Sequence, residues 1–147
     1  MLAHEIGHYK KRHVLKLIGL SITSVFLAFA AIAWLARQEW FYRAFGFEHQ
    51  GGFVAANVVP AMLLFALLAG TILFWFSPLV HIWSRRFEYE ADAFARATMG
   101  EAQSLIQALR KLNEKNLSNL TPHPLYSGFY YSHPTLLERE RALRIAA

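Results

Sequence analysis

Between Leu17 and Ala36 the chain runs for twenty residues without an Asp, Glu, Lys or Arg, and the 34 residues from Gln50 to Trp83 carry only the titratable His81. No other feature restricts the fold as strongly. A bilayer core takes about 20 apolar residues in helical form, so each run is long enough for one spanning helix. Composition agrees: 55% of residues are hydrophobic and only 17% charged, against about 25% charged in ordinary soluble domains. Trp34, Trp40, Phe41 and Tyr42 gather near the far end of the first run, as aromatic residues do at a membrane interface. The expected fold is therefore an all-α integral membrane protein with a two-span hairpin. The spans are expected at residues 17–36 and 53–76, with a kink near Pro60 and a break or bend at Pro78. His81, close to the exit, is expected to face the interface.

An even number of crossings returns the chain to its starting side, so the segments before and after the hairpin share one aqueous compartment. Lys10, Lys11, Arg12 and Lys16 precede the first run, and Arg85 and Arg86 follow the second. The connection from Arg37 to Gly52 balances Arg37 and Arg43 against Glu39 and Glu48, with Gly46, Gly51 and Gly52 as chain breakers. The positive-inside rule then makes the basic side cytoplasmic. This placement accounts for the net charge of +5 without a nucleic-acid partner, for which no motif is present. The bilayer is the expected partner. There is no secretory signal peptide, and Met1 stands only three residues before His4, so the start reads as a truncation within a longer protein.

The polar segments are expected to be helical. A first helix runs from Leu2 towards Arg12, and a region from residue 84 to residue 147 follows the membrane. In it, Ser84 to Met99 is expected as a helix closed by Gly100. Glu101 to Lys115 spaces Leu105, Ile106, Leu109 and Leu112 for one buried stripe. Asn116 to Tyr131 reads as a loop, and a last helix runs from Pro134 to Ile145. Asn116-Leu117-Ser118 and Asn119-Leu120-Thr121 match a glycosylation pattern that a cytoplasmic face leaves unused.

Chemistry concentrates at His4-Glu5-Ile6-Gly7-His8, within residues 1–14. Residues four apart on a helix lie about 40° from one another around the axis, so His4 and His8 project from one face. Two imidazoles so placed can grip one divalent ion, with Glu5 in reach of a water on it, the HExxH arrangement of zinc peptidases. The chain has no Cys, so a metal must be held by His, Asp or Glu. A catalytic zinc usually takes three protein ligands and leaves a fourth position open. In Ser84-Arg85-Arg86-Phe87-Glu88-Tyr89-Glu90-Ala91-Asp92-Ala93, Glu88 and Asp92 share a helix face and Glu90 points nearly opposite. Either acid can ligate while the other takes the free N–H of a ligand histidine. A solvated helix pairing Arg85 and Arg86 with Glu88 and Glu90 is the plainer alternative.

The strings HEIGHYKKRH, SRRFEYEADAFA and YSHPTLLERERAL, in this order around two apolar runs, closely resemble the M48 family of zinc metallopeptidases. Within it they look most like the Ste24-type CAAX prenyl proteases; the HtpX type matches the last string less well. The resemblance covers nearly the whole chain, which corresponds to the C-terminal catalytic part of such an enzyme, whose further membrane helices lie upstream. It implies one Zn2+ per chain, with His4, His8 and Glu88 as ligands and a gluzincin-like catalytic region. It implies Glu5 as general base and Asp92 as the partner of a ligand histidine. His133, in Ser132-His133-Pro134, would stabilise the oxyanion, and Arg139 would bind substrate backbone or orient a neighbouring acid. Arg139 in a surface salt bridge with Glu138 or Glu140 is the competing possibility. The implied activity is a multi-pass membrane endopeptidase acting on prenylated CAAX-type proteins, or on membrane-associated proteins in a bacterium. Its membrane would be the bacterial inner membrane or the endoplasmic reticulum. A non-catalytic membrane scaffold and an HtpX-like quality-control protease are the alternatives.

Overall fold

The computed structural model describes residues 1–48, 51, 55–116 and 118–145. Gly52 and Phe53, expected as a breaker and as the start of the second span, lie outside the described residues, as does Leu117 of the first glycosylation pattern. Regular structure among the described residues is all helical: α1 (Leu2–Lys10), α2 (His13–Leu35), α3 (Glu39–Arg43), α4 (Ala55–Met99), α5 (Gln103–Asn116), α6 (Pro124–Tyr130) and α7 (Leu136–Ile145). The chain forms two compact units, one of Leu17–Trp75 and one of Met1–Lys16 with Phe76–Ala147.

In the Leu17–Trp75 unit, α2 and the first part of α4 are long and apolar enough to cross a membrane. Their side chains remain largely uncovered, Phe26, Phe29, Leu67 and Trp75 among them. Water would penalise so much apolar surface, whereas hydrocarbon does not. A small core of Ala36, Phe41, Tyr42, Ala61 and Leu64 joins the ends of the two helices. The Tyr42 hydroxyl, fully buried, donates to the Asn57 carbonyl at 2.7 Å. The expected polar connection therefore contains a helix, α3. Its single turn is too short to leave a periodic pattern, and burial of Phe41 and Tyr42 holds it in place.

Two expectations about the second long helix are corrected. No break occurs at Pro78, and Ser84–Met99 is not a separate helix, because α4 continues for 45 residues from Ala55 to Met99. Proline removes one N–H from the helical ladder, but helices of membrane type tolerate it in their interior. Gly100, at φ +74°, closes α4 in the left-handed conformation. His81 is half-buried, and its Nδ1–H donates to the Phe129 carbonyl at 2.8 Å.

The second unit packs α1, the C-terminal part of α4, α5 and α7 around Ala95, Leu105, Ile106, Leu109 and Leu143. Leu112, expected on the same stripe, is instead exposed, since the buried face of α5 ends one turn earlier. Glu140 receives a two-pronged hydrogen bond from Arg110 at 2.5 and 2.7 Å, which ties α7 to α5. The segment expected as a loop from Asn116 to Tyr131 contains α6, entered through His123 and Pro124. Arg85 donates to the carbonyls of Ser127 and Gly128 in the last turn of α6, at 2.8 and 3.1 Å. A cation there satisfies acceptors that the helix end leaves open. The last helix starts at Leu136 rather than Pro134. Thr135 caps it: the Thr135 N–H donates to the Glu138 carboxylate at 2.7 Å, and the Glu138 N–H donates back to the Thr135 hydroxyl at 3.3 Å.

Two features bring α1 against α4. α1 stops at Lys10, and α2 starts at His13, after a turn in which Arg12 adopts φ +56°. Gly7 lies face to face with Ala91: a Cβ there would sit 3.0 Å from the Ala91 Cα and carbonyl oxygen and 3.2 Å from the Phe94 ring. Backbone cannot rotate aside, so the helices meet at this distance only because residue 7 has no side chain. Gly7→Val is expected to push α1 off α4, lowering stability by about 1–3 kcal/mol in a thermal unfolding measurement. An unchanged midpoint would show that the contact does not set the helix spacing.

Candidate metal centre

On α1, the four-residue spacing places His4 and His8 on the face that Gly7 presses against α4. Opposite them, Glu88 and Asp92 project from one face of α4, and His4, Glu88 and Asp92 are all buried. His4 Nε2 and His8 Nε2 are 3.2 Å apart. Glu88 Oε2 lies 3.6 Å from the first, and Glu88 Oε1 3.5 Å from the second. The structure thus brings His4, His8 and Glu88 together as a group able to hold a metal ion. A tetrahedral zinc site with bonds of about 2.0–2.1 Å has ligand–ligand edges of about 3.3 Å, and the three separations match one face of such a site.

The proton arrangement at His4 points the same way. His4 Nδ1–H donates to Asp92 Oδ1 at 2.9 Å, which leaves the Nε2 lone pair facing the group. Burial, above all, holds the His8 imidazole below its ordinary pKa; the Glu88 charge opposes this, and the neighbouring His4 and His13 add to it. His8 is therefore neutral at pH 7 and offers a lone pair as well. Two lone pairs and a carboxylate at these distances repel one another unless a cation or a proton lies between them. The donor set, two imidazoles and one carboxylate with no sulfur, suits zinc.

Arg139 does not form the surface pair with Glu138 or Glu140. Its guanidinium is buried, donating from Nε to Asp92 Oδ2 at 2.7 Å and from Nη2 to Asp92 Oδ1 at 2.6 Å. Nη1 stands 3.3 Å from Glu88 Oε2. Burial works against its charge, but the hydrogen bonds and charge of Asp92, with the charge of Glu88, more than offset this and raise its pKa above the ordinary arginine value. Its contacts therefore fit the orienting of neighbouring acids. His133 is mostly exposed, with Nδ1 at 3.1 Å from Glu88 Oε1. Glu5 is exposed and, with His8, Tyr9 and Arg12, lines a cavity of about 830 Å3. A second cavity of about 330 Å3 is lined by Asn113, Tyr130, Tyr131, His133 and Arg139.

Two groups at the centre escaped the sequence reading. His13 Nδ1 lies 3.1 Å from His8 Nδ1, and His13 Nε2 lies 3.2 Å from Glu90 Oε2. Glu90 also accepts from Arg86 Nε at 3.0 Å, the helical pair that the plainer reading of this segment contained. The one available signal was the histidine five positions after His8, a spacing that a continuous helix would turn away from the site.

An all-helical chain with an HExxH helix set against a glutamate four residues from an aspartate defines a class, the helical metallopeptidases. Peptidase family M48 matches over residues 1–147, and the chain belongs to that family. The chain is 39% identical to CAAX prenyl protease 1 of Saccharomyces cerevisiae over 97% of its own length and 33% of that protein. It is 38% identical to the human CAAX prenyl protease 1 homolog over 98% of its length and 29% of the relative. The crystal structure of S. mikatae Ste24p superposes with a TM-score of 0.79 at 38% identity, covering 97% of this chain and 35% of that one. The chain thus spans about a third of the length of these relatives.

Arg139→Ala would leave Asp92 and Glu88 as buried carboxylates without their cation. It is expected to cost about 3–5 kcal/mol of stability, read from denaturant unfolding. A loss of less than 1 kcal/mol, the range of an exposed pair, would mean that the guanidinium does not hold the two acids.

Proposed function

We propose that the chain is the catalytic part of a membrane-embedded zinc metalloendopeptidase that hydrolyses peptide bonds in prenylated, CAAX-type or other membrane-associated proteins. One observation carries the reading: the Nε2 atoms of His4 and His8 and the carboxylate of Glu88 converge within 3.2–3.6 Å, with Glu5 on the same helix beside them. The names of the relatives support the substrate class.

His4, His8 and Glu88 would hold the ion, which when bound supplies a Lewis acid that acidifies water and polarises a carbonyl. Asp92 keeps the His4 proton on Nδ1, and Arg139 fixes the orientation of both Asp92 and Glu88. Glu5 takes the proton from the attacking water and passes it to the leaving amine as the C–N bond breaks. Its place on the wall of the larger cavity gives water and peptide access to it. His133, beside Glu88 and open to solvent, is placed to donate an N–H to the scissile carbonyl oxygen as negative charge develops there.

The apolar parts of α2 and α4 cross the bilayer, and the basic residues at their ends put the centre on the cytoplasmic side of a bacterial inner membrane or the endoplasmic reticulum. In the full-length protein carrying this chain, Glu5→Gln is expected to leave bound zinc unchanged while peptide hydrolysis falls by at least about 100-fold. Retained turnover would rule out Glu5 as the base.

A further inference from the structure

We propose that His13 and Glu90 form an outer hydrogen-bond relay that fixes the tautomer and ring orientation of His8 towards a divalent cation. The proposal rests on the metal-centre reading above. His13 is fully buried, and its ring stacks on Phe87 with centroids 4.2 Å apart and planes 9° from parallel. Both of its nitrogens are engaged, Nδ1 with His8 Nδ1 at 3.1 Å and Nε2 with Glu90 Oε2 at 3.2 Å. Arg86 holds the other carboxylate oxygen of Glu90 at 3.0 Å, so the far end of the relay is anchored as well.

With both imidazoles neutral, one proton arrangement satisfies both contacts of His13. Glu90, an anion beside Arg86, accepts, so His13 carries its proton on Nε2. His13 Nδ1 is then an acceptor, and the short contact requires His8 to donate from Nδ1. His8 Nε2 is left with a lone pair, aimed at the point where His4 Nε2 and Glu88 Oε1 converge at 3.2 and 3.5 Å. The relay does for His8 what Asp92 does for His4, with one imidazole interposed between ligand and acid. Packing alone does not call for it, because a phenyl ring would stack on Phe87 equally well.

The backbone bends to deliver this residue. In an uninterrupted helix residue 13 would lie about 140° around the axis from His8. The turn through Arg12, at φ +56°, resets the phase and brings His13 beneath His8. A left-handed conformation costs a non-glycine residue about 1 kcal/mol or more, and such strain collects at functional sites.

The test uses the purified full-length protein that carries this chain, with zinc affinity measured by chelator competition and ligand geometry read from the visible spectrum of the cobalt-substituted form. His13→Phe keeps the stack and removes both hydrogen bonds; zinc binding is expected to weaken about 10- to 100-fold, with an altered cobalt spectrum. His13→Gln, whose amide offers one acceptor to His8 and one donor to Glu90, is expected to recover most of that affinity. Glu90→Ala should weaken binding alone and add nothing to His13→Phe. Wild-type affinity and spectrum in His13→Phe would overturn the relay, and so would equal losses in the Phe and Gln variants, which would mark a packing role. If His13→Phe does not fold, unchanged affinity in Glu90→Ala, a partly exposed position, overturns it instead. Absence of zinc from the unaltered protein would remove the metal-centre reading together with the relay.

Discussion

Asp92 is the residue on which the centre depends. One buried carboxylate accepts from His4 on α1 and twice from Arg139 on α7, while itself standing on α4. Three helices from the two ends and the middle of the sequence are held at one point. A carboxylate inside a protein is costly unless fully paired, and here the pairing is complete, so the same group that closes the fold also sets the proton position on His4. Stability and chemistry therefore cannot be separated at this position.

From that fixed point the remaining geometry follows. Gly7 lets α1 approach the α4 backbone at Ala91, which brings the imidazoles within reach of Glu88. Glu88 faces His4, His8, His133 and Arg139 at once, so its carboxylate is oriented from several sides before any ion is considered. Such preorganisation lowers the cost of assembling a metal site, because the ligands need little further ordering when an ion arrives. Glu5 and His133 differ from these groups in being exposed, which suits the substrate-facing roles proposed for them.

Much of this was legible in the sequence because it obeys simple periodicities. The four-residue spacings of His4 with His8 and of Glu88 with Asp92 each specify one helix face, and the uncharged runs specify long apolar helices. The structure departs from the reading where local rules compete. Pro78 suggests a break or bend, yet α4 runs through it without a break. α3 and α6 are one or two turns long and stabilised by burial or by Arg85 rather than by pattern. Spacing alone left open which of Glu88 and Asp92 meets the ring nitrogens; Asp92 lies on the Nδ1 side of His4, and Glu88 on the Nε2 side. His13 was hidden for a definite reason: helical phase is lost at Arg12, so its distance from His8 in sequence says nothing about its direction in space.

The central claim is that one zinc ion sits among two imidazoles and one carboxylate drawn from α1 and α4. X-ray absorption at the zinc K-edge of the purified full-length protein examines it most directly. The account predicts one zinc per chain in an all nitrogen-and-oxygen shell at about 2.0–2.1 Å with the scattering of two imidazoles, and loss of that zinc in Glu88→Ala. A protein without zinc, or a zinc shell unchanged by Glu88→Ala, would contradict it.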